Sequence, residues 1–326
     1  MTTLHKFSNL LNLLTYFKDE QVCLDYLEQI RWNGELKCVY NDCEGGKIHR
    51  CANHRYKCAT CKRIYSVKVG TIFEGSKLPL QKWYAGIYLI TAHKKGISSL
   101  QLSRDLSITQ KSAWFLLHRV RFSLGLNAGS EKLKGIVEAD ETFIGGNEKN
   151  KHKSKKTEDN QGRSLKTKSA VAGVIERGGE LRAKQVDSTK GYHLKPFVIS
   201  HTDFGSKLMT DEWIGYKGLS ALYKHSFVKH NEGEYVTGDC HTNAMEGFWS
   251  LLKRGVNGIY HSVSSKHLQR YVDEFVFRYN TRTNSEAGRF DAMLNNISAR
   301  LTYNTLINAD NRNNRQVASE QGSLGL

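Results

Sequence analysis

Two sets of side chains have the types and spacing to do chemistry. One is acidic and basic: Asp140, Asp211, Glu246 and Lys253. The other is a group of cysteines, Cys38, Cys43, Cys58 and Cys61. Asp140 lies in KGIVEADETFIGG, a segment rich in β-branched and apolar residues that reads as a core strand closing on a glycine turn. A buried carboxylate is costly there unless it is paired or bound to a cation. Alternation along the strand puts Glu138 on the same face as Asp140, as a rival candidate, and sends Glu141 to the other face. Asp211 ends the strand of SKLMTDEWIGY at the start of a turn. Glu246 and Lys253 belong to HTNAMEGFWSLLKRG, seven residues apart, so on a helix they project from nearly one face, two turns apart. Met245, Trp249 and Leu252 recur at three-to-four spacing and seat that helix on a core. Alone, an acid and a lysine on a helix face describe a solvated surface. Asp140 and Asp211, at upstream strand positions, give Glu246 partners that a surface acid would not need.

The cysteines read CVYNDC, fourteen intervening residues, then CATC. Two knuckles of paired thiolates across a short loop match the ligand spacing of a structural zinc ribbon, where four sulfurs close a tetrahedral site and one Zn2+ replaces a core too small to fold alone. The first knuckle is wider than the usual two-residue gap, and Cys51, His49 and His54 are nearby substitutes. Cys23 falls inside an apolar helical stripe and reads as a small buried residue.

The elements that must position these groups follow from periodicity. A helix is expected over Phe17 to Trp32, then short cationic strands through RYKCATCKRIYSVKVGTIF, suited to lying on phosphates. From Pro79 the pattern turns helical and stops at Gly96. A helix over Ser99 to Leu106, a turn at Ser107 to Thr109 and a second helix from Gln110 give the organisation of a helix-turn-helix. Gln110, Lys111 and Ser112 would then face base edges, while Trp114, Leu117 and Val120 pack the helix down. After Asp140 comes a polar, lysine-dense stretch from Asn147 to Lys168, expected as a loop over a polyanionic substrate or as a solvated insertion. SAVAGVIERG and ELRAKQVDS form a hairpin through Gly178 and Gly179, followed by a helix near Tyr192 to Ser200, the Asp211 strand, a strand at HSFVKHN and the Glu246 helix. SSKHLQRYVDEFVFRYNTR reads as an amphipathic helix packing behind it, and the chain beyond about Asn304 as a frayed polar tail. His241, Arg254 and His261 are placed to reach phosphates or to serve the core.

Lys plus Arg number 48 against 32 Asp plus Glu, a net charge of +16, which favours a polyanionic partner such as nucleic acid. No run of about 18 apolar residues spans a membrane. The N-terminus carries neither a basic cluster nor a small-residue cleavage site, so the chain is expected in the cytoplasm, associated with the nucleoid.

The order of strands and helices, with acids on the first strand, a later strand and a closing helix, is that of a ribonuclease-H-like fold. The expected fold class is therefore multidomain α/β: a ribonuclease-H-like mixed sheet with flanking helices, preceded by a zinc ribbon and a helix-turn-helix. The segments are 1–75 (N-terminal helix and ribbon), 76–130 (helix-turn-helix), 131–300 (catalytic) and 301–326 (tail). Three carboxylates in such a fold hold two divalent ions about 3.5–4 Å apart for phosphoryl transfer. Mg2+, or Mn2+ in its place, suits those oxygen ligands.

The motifs CATCKRIYSVKVGTIF, VEADETFIGG, TDEWIGY, HTNAMEGFWSLLKRGVNGIYH and YVDEFVFRYNTR, spread over residues 20–282, resemble those of bacterial insertion-sequence DDE transposases that begin with a zinc ribbon, the ISXO-type family. The resemblance implies that Asp140, Asp211 and Glu246 are the metal-binding triad and Lys253 a basic helper near the substrate phosphate. Asn243 is the plausible substitute at the variable third position. It also implies binding of double-stranded DNA at terminal inverted repeats, and Arg254, from its own place beside Lys253, is expected among the DNA contacts. Cleavage at the element's end would be followed by transfer into target DNA, by a homodimer or larger assembly that holds two ends together. The rivals are a ribonuclease-H-like nuclease that hydrolyses and stops, and a DNA-binding regulator whose catalytic domain is only a scaffold.

Overall fold

A computed structural model describes residues 7–126, 129, 131–146, 152–157, 164–228 and 241–308. They fall into two compact units, Met1–Leu126 with Thr283–Leu326, and Asn127–Arg282.

The first unit begins with α1 (Leu10–Tyr16) and α2 (Glu20–Trp32). The single helix expected over Phe17 to Trp32 starts later because Asp19 caps it, its side chain accepting from the Val22 N–H, while Phe17 ends α1. Cys23 is fully buried in α2, as its place in the apolar stripe implied. Three short antiparallel strands follow, β1 (Ile48–Cys51), β2 (Arg55–Cys58) and β3 (Ile64–Ser66), in spatial order β1-β2-β3. Tyr56 and Tyr65 point inward, where Trp32 meets Tyr56 edge-on at 4.8 Å and the buried Glu28 carboxylate accepts from the Tyr56 hydroxyl. Then come α3 (Leu80–Ala92), α4 (Ser99–Asp105) and α5 (Gln110–Leu126). The apolar stripe of α5 is Ala113, Leu116, Leu117 and Val120. Trp114, expected to pack the helix down, is only half-buried and rests on His118 at 4.5 Å, because the buried stripe lies one position to its side.

The second unit is built on a five-stranded sheet. Its strands are β4 (Ile136–Ile144), β5 (Ser169–Glu176), β6 (Leu181–Val186), β7 (Lys207–Asp211) and β8 (Lys224–Val228), with α6 (Gly191–His201) between β6 and β7. The spatial order is β6-β5-β4-β7-β8. β6, β5 and β4 are antiparallel neighbours, whereas β4, β7 and β8 run parallel, so the sheet is mixed. Alternation in β5 sorts the core. Ala170, Ala172 and Val174 join Val137, Ala139 and α6 residues Leu194, Phe197 and Val198 on one face. Val171 and Ile175 meet α7 (Asn243–Gly255) and α8 (Ser265–Asn280) on the other. α8 also caps the edge strand: Asn280 bonds both backbone groups of Leu181, and the Gln185 N–H donates to Gln269.

The chain then returns to the first unit through α9 (Glu286–Leu294) and α10 (Tyr303–Asn308). Residues 283–300, grouped by sequence with the catalytic segment, pack instead with α3, where Phe290 meets Tyr84 edge-on at 5.8 Å. Leu301 and Leu306 are buried, so order extends past Asn304 into what reads from sequence as a tail. Residues 309–326, and residues 147–151 and 158–163 of the lysine-rich stretch, lie outside the described residues.

Candidate metal centres and the acidic site

The four expected cysteines converge. Cys58 closes β2, and the turn after it folds back through the Lys62 N–H onto the Cys58 carbonyl, which presents Cys61 beside it. The Sγ atoms of Cys38 and Cys61 are 3.8 Å apart and those of Cys43 and Cys58 are 3.7 Å apart, with all four within 4.8 Å of one another. A tetrahedron with Zn–S bonds of 2.3 Å has S···S edges of about 3.8 Å. A disulfide would need about 2.05 Å. The donor set therefore fits a tetrahedral thiolate metal and no disulfide. The Arg63 guanidinium pulls the Cys61 thiol down to about 6, and backbone N–H groups lower that of Cys58. Burial pushes Cys38 up, as expected when four adjacent sulfurs cannot all ionise without a cation among them. Arg63 is itself held by Asp42 at 2.6 Å and by the Tyr40 ring at 3.9 Å. The substitutes fall away from this group: Cys51 is exposed with its Sγ toward the His49 carbonyl, and His54 faces Gln21 and Asp25 on α2.

In the second unit the acids meet at the ends of two parallel strands. Glu138 of β4 pairs in register with Met209 of β7, so two residues further on Asp140 comes level with Asp211, on the same face. Carboxylate oxygens of Asp140, Glu141 and Asp211 lie within 4.8 Å of one another. Glu141 reaches this point from the opposite face of β4, its Oε2 accepting from the Tyr216 hydroxyl at 2.9 Å. Simple alternation passes over Glu141; the signal that could have found it is its adjacency to Asp140 at the strand's end, where the sheet opens. Asp211 Oδ1 accepts from the Trp213 N–H at 3.0 Å, which fixes the turn after β7.

Asp140 is held from α7. The Trp249 indole Nε1 donates to its Oδ2 at 3.0 Å. Gly173, opposite Asp140 on β5, makes that approach feasible, since a Cβ there would lie 2.9 Å from the Trp249 ring and 2.4 Å from Met245 Cε. Burial, then the Asp211 charge, raise the Asp140 carboxyl from 3.8 to about 6, with Glu246 adding in the same direction and the Trp249 bond opposing.

Glu246 occupies the first turn of α7, exposed, with the Thr242 hydroxyl 3.4 Å from its Oε1. Its charge is felt at Asp140, yet it stands outside the tight group of three acids. Lys253 and Arg254 are exposed in the last turn of α7, and Asn243 begins the helix. Glu138 is not part of the acid group: it is fully buried and bonded to Arg177 and to the start of α7. In the first unit, Gln110 and Lys111 are exposed at the start of α5, Gln110 bonding Ser99 and Lys111 lying over Tyr303 at 4.8 Å. Ser112 is engaged locally, its hydroxyl 2.9 Å from that of Thr109, which caps the helix.

Among the described residues no helix is long and apolar enough to cross a membrane. Residues 132–280 match the model of the ISXO2-like transposase domain. A protein in the transposable element ISH50 of Halobacterium salinarum is 26% identical over 275 residues, spanning 80% of this chain and 91% of its own length. A crystal structure of a pre-cleavage Mos1 transpososome aligns with 73% of this chain and 78% of its own at 11% identity, with a TM-score of 0.27, below the level at which two backbones share a fold. The match of residues 132–280 to the ISXO2-like transposase domain and the likeness to the ISH50 protein together support an insertion-sequence transposase.

Proposed function

We propose that the chain is a DDE-type DNA transposase in which Asp140, Asp211 and Glu246 hold two magnesium or manganese ions and Lys253 meets a substrate phosphate. The observation that carries this reading is the meeting of Asp140 and Asp211, from neighbouring parallel strands inside the transposase domain, with oxygens within 4.8 Å. An all-oxygen set of this kind suits hard divalent cations. Cations bound there supply charge neutralisation at the attacking and leaving oxygens of a phosphodiester.

The chain's own contribution is positional. Trp249 orients the Asp140 carboxylate, and the turn held by Asp211 Oδ1 orients the second acid. Glu246 and Lys253 project from one exposed face of α7, so the acid can complete the metal shell while the ammonium, two turns on, neutralises phosphate. Glu141, tethered by Tyr216, offers a further carboxylate at the same point. In the first step water attacks the phosphodiester at the element's end, the bond between phosphorus and the element's terminal 3′ oxygen breaks, and that oxygen leaves as a 3′ hydroxyl while the phosphate stays on the 5′ end of the flanking strand. In the second, that hydroxyl attacks a target phosphodiester, forming a new P–O bond as the target's own 3′ oxygen leaves.

The sheet order β6-β5-β4-β7-β8, three antiparallel strands continued by two parallel ones with helices on both faces, supports a ribonuclease-H-like domain. In the first unit the thiolate group supports a zinc ribbon, with one structural Zn2+ on Cys38, Cys43, Cys58 and Cys61. α4, its short turn and α5 support a helix-turn-helix that reads terminal inverted repeats through Gln110 and Lys111. The +16 charge supports a double-stranded DNA partner, with Arg254 among the phosphate contacts, and two ends held together imply a homodimer or larger assembly.

The test is magnesium-dependent cleavage and joining by the full chain on the flanking ends of its own element. Joining of a precleaved end to a second duplex is expected. Cleavage without joining would favour a nuclease that hydrolyses and stops, and end binding without metal-dependent nicking would favour a regulator.

A further inference from the structure

The start of α7 lacks a cap of its own. Thr242, at the N-cap position, makes no side-chain capping bond. In an ordinary cap, an oxygen of that residue accepts from the second or third N–H of the helix. Those two N–H groups belong here to Ala244 and Met245, and both donate to Oε2 of Glu138, at 2.9 and 3.2 Å. A residue of β4, more than a hundred positions upstream, therefore performs the capping. Its other oxygen, Oε1, accepts from Arg177 Nε at 2.7 Å, and His241 Nδ1 lies 3.3 Å away. Arg177 also donates to the His241 carbonyl at 3.0 Å, tying the residues just before the helix to the same point. The carboxylate is fully buried, an arrangement that holds only because charge and hydrogen bonds meet it on both oxygens.

We infer that Glu138 is a positioning residue, the anchor that sets the first turn of α7 against β4 and so fixes Glu246 relative to Asp140. The inference rests on the reading of Glu246 as the third acid of the proposed site. The link is short. Asp140 follows Glu138 by two residues on the strand, and Glu246 follows Met245 by one on the helix. It is independent of residues 229–240. Trp249 makes a second tie one turn further along, to Asp140 itself. These three bonds hold α7 at two points along β4, which fixes its direction as well as its distance.

The test uses the full chain with Glu138→Gln and Glu138→Ala. Three readouts are taken: the Mn2+ concentration giving half-maximal cleavage, binding of element-end DNA, and hydrogen exchange of amides 243–249 against amides 170–175. Expected for Glu138→Gln is a tenfold to hundredfold rise in the Mn2+ required, the range seen when residues supporting metal ligands are lost. DNA binding should be unchanged, α7's first turn should exchange faster, and the sheet should stay protected. Unchanged Mn2+ requirement and unchanged α7 protection in Glu138→Ala would overturn the inference. If Glu138→Ala loses sheet protection as well, His241→Ala decides: a rise of threefold or more in the Mn2+ required supports the anchor, and no rise overturns it. Glu246→Gln, run in parallel, separates this inference from the reading beneath it. If Glu246→Gln cleaves with the parent's Mn2+ dependence, the triad reading fails and the inference falls with it. If Glu246→Gln abolishes cleavage while the Glu138 variants behave as the parent, only the anchor fails.

Discussion

Trp249 and Asp140 are joined across 3.0 Å, indole Nε1 to carboxylate Oδ2, and the contact exists because Gly173 leaves room beneath the ring. The apolar residue that seats α7 on the sheet therefore also holds the acid that the sheet presents. Replacing Trp249 with Phe keeps most of the packing and removes a hydrogen bond to a charged group, worth about 1.5–3 kcal/mol. Mn2+ affinity measured by calorimetry should fall by tenfold or more, with the fold retained by circular dichroism. An unchanged affinity would remove Trp249 from the site.

Gly173→Ala should act on the same contact from the other side. The Met245 terminus can swing away from an added Cβ, but the Trp249 ring, 2.9 Å from it and buried, cannot do so freely. Overpacking of this kind costs about 1–3 kcal/mol. Urea unfolding should show a lower midpoint together with weaker Mn2+ binding.

Asp140 gives the site a pH dependence with a defined sign. Burial first, then Asp211, raise its carboxyl from 3.8 to about 6. Without metal, the stability tied to its protonation is fully present below 3.8 and is lost as pH rises through about 6, amounting to at most about 3 kcal/mol. A divalent ion must displace that proton, so Mn2+ affinity should fall up to tenfold per unit as pH drops below 6. Asp140→Asn should abolish this dependence in metal titrations at pH 5, 6 and 7. Asp140→Ala should abolish strand cleavage while element-end binding, followed by gel shift, persists; normal cutting by that variant would exclude Asp140 from the mechanism.

Glu141 and Tyr216 form a separable pair, bonded at 2.9 Å. Tyr216→Phe frees the carboxylate without emptying the space its ring fills. If Glu141 shares the ion-binding point, Glu141→Gln should raise the Mn2+ needed for cleavage several-fold, and Tyr216→Phe should shift it less.

The thiolate centre predicts one zinc per chain, measured by elemental analysis. Cys58→Ser should lose it and Cys51→Ser should retain it, because Cys51 is exposed and apart from the four converging sulfurs. Stripping the metal with a strong chelator should loosen the first unit's three-stranded sheet, since the four sulfurs tie the segment before β1 to the turn after β2.

Much of this was legible in residue order. The spacing of Cys58 and Cys61, the strand carrying Asp140, the helix start at Gln110 and the hairpin through Gly178 and Gly179 all follow from local periodicity and turn chemistry, which act over a few residues. The relation of Asp140 to Asp211 was half legible: each sat at a strand position, but their common level comes from the parallel register of β4 and β7, a pairing between segments about seventy positions apart. Three assignments were decided by tertiary structure alone. Glu138 and Asp140 share a face and a residue spacing, yet one caps α7 and the other faces Asp211, because a helix start lies over one and a strand end beside the other. Glu141 joins Asp140 from the opposite face, where the Tyr216 hydroxyl, 75 positions away, bonds its carboxylate. Residues 283–300 leave the sheet to pack on α3. Sequence determined which groups could do chemistry, since that depends on residue type and local period. The fold decided which of them meet, since a carboxylate's partners are fixed by elements that lie far from it along the chain.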